Sequence, residues 1–69
     1  MPSGNRMQGT VEAFDLWYFK VACPEAPAHL RVLYLVPGQM KGAKVGDRVE
    51  LEYQTTARSG LWNVVAVLA

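Results

Sequence analysis

The chain has 69 residues, 51% of them hydrophobic, and a formal net charge of +1. That length allows one domain with a small core, and a single cysteine (Cys23) with a single histidine (His29) excludes both an internal disulfide and a zinc site built on such ligands. No apolar run reaches the roughly 18 residues of a membrane span, and the near-neutral balance excludes the broad electrostatic attraction on which most duplex-DNA binders rely.

The N-terminal "MPSGNR" is short and polar, with no apolar stretch behind it of the kind a signal peptide carries. It reads as a flexible tail over 1–6 ahead of a domain over 7–69, and the lone reduced cysteine suits the cytoplasm. From Met7 onward apolar residues alternate in short bursts and never hold a 3.6-residue period over a dozen positions, which is strand behaviour. The first strand is predicted over 7–14, with Gly9 marking a bulge or a close backbone approach. Asp15 and Leu16 form a tight turn into a second strand over 17–23, rich in aromatic and β-branched residues. Two prolines then make Pro24 to Ala28 a loop. A third strand spans 29–36, and Pro37-Gly38 stops it. The connection to Gly46 has room for one helical turn.

The fourth strand, over 46–56, carries the clearest pattern, because Val49, Leu51 and Tyr53 alternate with Arg48, Glu50, Glu52 and Gln54. Ser59-Gly60 turns the chain into a fifth strand over 60–68, almost wholly apolar. Five strands with almost no helix predict an all-β, closed or nearly closed antiparallel barrel, an architecture that also removes the exposed edges of a small lone sheet. The expected core is Val11, Trp17, Phe19, Val32, Val49, Leu51, Tyr53, Val64 and Ala66.

Taken in order, these segments resemble the cold-shock domain family, whose fold is a five-stranded OB-type barrel. The family opens with Gly-x-Val-Lys-Trp-Phe-Asn, and here Gly9-Thr10-Val11-Glu12-Ala13-Phe14-Asp15 stands in that place. Its Lys-Gly-Phe-Gly-Phe-Ile strand falls on Trp17-Tyr18-Phe19-Lys20-Val21-Ala22, and Thr-Pro-Glu on Cys23-Pro24-Glu25. Val-Phe-Val-His-Phe falls on Leu30-Arg31-Val32-Leu33-Tyr34, Gly-x-x-Val-x-Phe on Gly46 to Leu51, and Ala-x-Asn-Val-x-Ala-Leu on the run from Leu61 to Leu68. The similarity covers Met7 to Leu68. The departures fall on both ribonucleoprotein motifs: Tyr18 and Lys20 replace glycines, Ala13 a tryptophan, Glu12 a lysine and Leu33 a histidine.

The resemblance implies single-strand binding by base stacking on aromatic rings. Phe14, Phe19 and Tyr34 are the surviving aligned rings, and Arg31 offers a guanidinium plane in place of a fourth. Period-two alternation leaves two registers for the second strand. If Phe19 faces out, Tyr18 and Lys20 point at the core, and a buried lysine is costly. The other register buries Trp17, Phe19 and Val21 and exposes Tyr18 and Lys20; charge burial favours it. The expected nucleic-acid platform is then Phe14, Tyr18, Lys20, Arg31 and Tyr34.

No Ser/His/Asp or Cys/His set and no P-loop lysine motif occurs, so no catalytic residue, metal ligand or cofactor is expected. Two functions remain open. One is binding of single-stranded RNA or DNA with little sequence preference and no membrane association. The other is an interaction barrel that has lost nucleic-acid binding, with a homodimer through Tyr18, Leu33, Leu35 or Trp62 as one form of it. The degraded motifs, near-neutral charge and high apolar content favour an interface, whereas the resemblance favours nucleic-acid binding, which is the expected function.

Overall fold

The computed structural model describes residues 6–55 and 57–68. Five strands, β1 (Arg6–Asp15), β2 (Tyr18–Ala22), β3 (Val32–Leu35), β4 (Arg48–Thr55) and β5 (Gly60–Val67), form one antiparallel sheet in the order β3-β2-β1-β4-β5. Among the described residues the only helical elements are two 3-10 turns, Ala28–Leu30 and Pro37–Gln39. The all-β expectation holds. The sheet itself is open, because β3 and β5 share no ladder. Residues 1–5 of the expected tail lie outside the described residues, whereas Arg6 already belongs to β1, opposite Glu52.

β1 is the hinge of the sheet. Its second half pairs with β2 and its first half with β4, and the register shifts between Val11 and Ala13. Such a bulge bends a strand and increases its twist, which lets one strand serve two directions. Gly9 sits where the chain is most crowded. A Cβ there would lie 2.7 Å from Cys23 Sγ and 2.8 Å from the Ala22 carbonyl oxygen, so the predicted close approach is present.

The inner face holds the core. Val11 lies opposite Val21, which lies opposite Leu33, and Met7 lies opposite Leu51, which lies opposite Val64. Val11, Val21, Val49, Leu51 and Val64 are buried in it with Cys23 and Leu35, and Ala26, Met40 and Ala43 cover it from the connections. Phe19 packs on this core half-buried, and Ala66 is half-buried.

Three expected core residues are corrected. Trp17 is exposed, because Asp15 pairs with Tyr18 and leaves Leu16 and Trp17 as the two loop residues. Val32 is exposed, because it alternates with the inward Leu33 and Leu35. Tyr53 points to the inner side opposite Trp62 but sits at its uncovered rim.

The Gln39 side chain spans the open seam. Gln39 Nε2 donates to the Trp62 carbonyl oxygen at 2.8 Å, and Gln39 Oε1 accepts from the Val36 amide at 3.1 Å. One carboxamide thus joins the residue that follows β3 to β5, in the way a peptide group joins two strands. Met40 and Ala43, next along the chain, fill the space beneath.

Candidate functional site

Among the described residues, the β1–β2 hairpin carries the most exposed large hydrophobics. Leu16 is 76% exposed and Trp17 70%. Leu16 also has φ 57°. Two-residue hairpin loops select positive φ so that the turn matches the strand twist, and glycine, asparagine or aspartate normally supplies it. A leucine there is held in a conformation costing about 1–2 kcal/mol. Backbone strain of this kind clusters where a side chain has a task.

Next to the tip, the outer face of β2 and β3 is set by register. Lys20 lies opposite Tyr34 on one side and Ala13 on the other, and Ala22 lies opposite Val32. Tyr18, two residues before Lys20, points to the same side. Tyr34 is 63% exposed and Tyr18 42%. Ala13 leaves Lys20 free of a bulky neighbour on β1. The Lys20 ammonium stands 3.9 Å from a Glu12 carboxylate oxygen, a solvent-exposed contact that holds the lysine weakly. Phe19, Val21 and Cys23 take the inner side, so the alternation that keeps Lys20 out of the core is the one present.

Of the five residues expected to form a platform, the structure brings Tyr18, Lys20 and Tyr34 together. Phe14 is opposite Phe19, on the inner side of the hairpin, with ring centroids 4.6 Å apart and planes tilted by 51°. Its ring is half-exposed at the rim. Arg31 precedes β3, where its Nε donates to the Ala26 carbonyl oxygen at 3.0 Å. Neither belongs to the Tyr18–Lys20–Tyr34 row. Leu16 and Trp17 were missed as site residues. The signal that locates them is the turn: moving it one residue, from Asp15-Leu16 to Leu16-Trp17, takes Trp17 out of the strand.

Cys23 is buried, and burial pushes its thiol up from the ordinary range, so it stays protonated and poorly nucleophilic. Among the described residues no cluster of three or more His, Cys, Asp or Glu side chains is arranged to hold a metal ion. No family model, curated protein or solved structure matches the chain.

Proposed function

We propose that this chain binds single-stranded RNA or DNA, with little sequence preference, by stacking bases on the outer face of β2–β3 and on the adjoining hairpin tip. The sheet is then an OB-type barrel of the cold-shock kind, with Gln39 standing where a β3–β5 ladder would close it. The strand order supports this, since a barrel closing between β3 and β5 needs the order β3-β2-β1-β4-β5. OB-type barrels bind oligonucleotides on the strand 2–3 face and on the loop joining strands 1 and 2. The observation that carries the proposal is the row Tyr18, Lys20, Tyr34: two solvated rings on adjacent strands with a cation between them.

Each stacked base contributes about 1–3 kcal/mol and tolerates any sequence, because every base has a π-face. Lys20 supplies a phosphate contact, and Trp17 extends the aromatic surface beyond Tyr18. Phe14 and Arg31 contribute from outside the row. The protein works as a cytoplasmic binder and performs no reaction. Tyr34→Ala should weaken binding of a short oligothymidine at low salt by about 1–3 kcal/mol while the melting temperature holds. Lys20→Ala should lower the salt dependence by roughly one ion. An unchanged Kd for Tyr34→Ala at unchanged fold would remove the stacking row from the account.

A second reading has its own observation. Leu16 is aliphatic, the most exposed large hydrophobic among the described residues, and offers no ring for stacking. On that reading the hairpin tip docks on a protein, a second copy included. Sedimentation across a concentration series tests the self-docking form of this reading, since a nucleic-acid platform leaves the free protein monomeric and a self-docking tip does not.

A further inference from the structure

A second aromatic locus lies away from the β2–β3 face. Tyr53 and Trp62 are opposite one another on β4 and β5 and continue the inward Leu51–Val64 row to the rim of the core. Their ring centroids are 5.4 Å apart and the planes tilt by 56°. Across from them stand His29 and Leu30 of the 3-10 turn Ala28–Leu30, fixed by the Leu30 amide donating to the Pro27 carbonyl at 2.8 Å. These four residues line a cleft of about 360 Å³.

The cleft is built before anything enters it. A Cβ at Gly60 would run into the Tyr53 ring, so the ring lies against bare backbone. Trp62 is half-buried against the core. A preorganised wall spends little entropy on binding. Three of the four lining side chains are planar, which selects a flat occupant over a branched aliphatic one. His29 and Tyr53 add ring nitrogens and a phenol oxygen, groups that suit a ring with polar edges. None of the four carries a carboxylate to repel a phosphate.

We propose that this cleft seats one unstacked base of a bound single strand, as a site distinct from the Tyr18–Lys20–Tyr34 row. The proposal rests on single-strand binding and names a second contact for the same ligand. The base enters edge-on between the imidazole and the two rings.

The two tryptophans report on the two loci separately. In the full chain, Trp17→Phe leaves Trp62 as the emitter at the cleft, and Trp62→Phe leaves Trp17 at the hairpin tip. Short oligothymidine at low salt should quench both. Adding His29→Ala, an exposed position, should raise the half-saturating concentration by at least about fivefold, the low end of one lost stacking contact, and should shrink the quenching amplitude at Trp62 while Trp17 still quenches fully. An abasic deoxyribose-phosphate strand of equal length should leave Trp62 unquenched. Quenching of Trp17 with Trp62 unmoved would overturn the cleft and leave single-strand binding standing. Equal quenching of Trp62 by the abasic strand would also overturn it. If neither tryptophan responds, single-strand binding fails and the cleft proposal with it.

Discussion

Replacing Leu16 by glycine should stabilise this protein. Leu16 holds φ 57° at the first position of a two-residue hairpin loop, where an L side chain costs about 1–2 kcal/mol and glycine does not. Glycine gives back roughly 0.5–1 kcal/mol through the extra freedom of the unfolded chain. Burial loss adds little, because the leucine is 76% exposed. The balance favours glycine by up to about 1.5 kcal/mol. In a domain this small, about 1 kcal/mol moves Tm by ~4–8 °C. Urea and thermal unfolding followed by circular dichroism would measure it. A loss of about 1 kcal/mol or more would refute the reasoning, since it would mean that the leucine packs against something in solution. A loss that grows with protein concentration would identify that something as a second copy. A natural leucine at a position that glycine fills more easily points to a use for the side chain, at some cost in stability.

Leu51→Ala removes the centre of the inward row and should cost about 2–5 kcal/mol, against a total of about 3–10 kcal/mol for a domain of this length; a urea midpoint equal to wild type would contradict the β4 register. Gln39→Ala should cost about 1–3 kcal/mol, the worth of two hydrogen bonds, and should lower hydrogen-exchange protection at the Val36 amide. Unchanged exchange there would show that the seam does not depend on the carboxamide.

The parts of the fold that were legible are those where one strand is flanked on both sides. Val49 and Leu51 alternate cleanly with charged residues because β1 and β5 hold β4 between them. Lys20 fixed the register of β2, since charge burial is costly enough to decide which way Phe19 and Val21 face, and that made Tyr18 and Tyr34 legible as surface rings. Trp17 and Tyr53 were not legible, because hydrophobicity gives no distinction between a buried ring and one at a loop tip or an open rim. Val32 failed for the same reason at an outward strand position. Met40 and Ala43 sit in a connection with no period to read, yet they close the core. Gln39 gave no signal either, because its partners are backbone groups on Val36 and Trp62, whose approach depends on the whole sheet. Phe14 and Arg31 entered through an aligned motif, and the local geometry separates them from the row.

The most direct test is a residue-resolved amide spectrum of the labelled protein titrated with short oligothymidine at low salt. Stacking on β2–β3 and the hairpin tip predicts that the amides of Trp17, Tyr18, Lys20 and Tyr34, and the Trp17 indole, move together and saturate. The exposed lysines of the long connection, Lys41 and Lys44, should stay nearly still. A spectrum that does not move, or one in which only Lys41 and Lys44 shift, would contradict single-strand binding on this face.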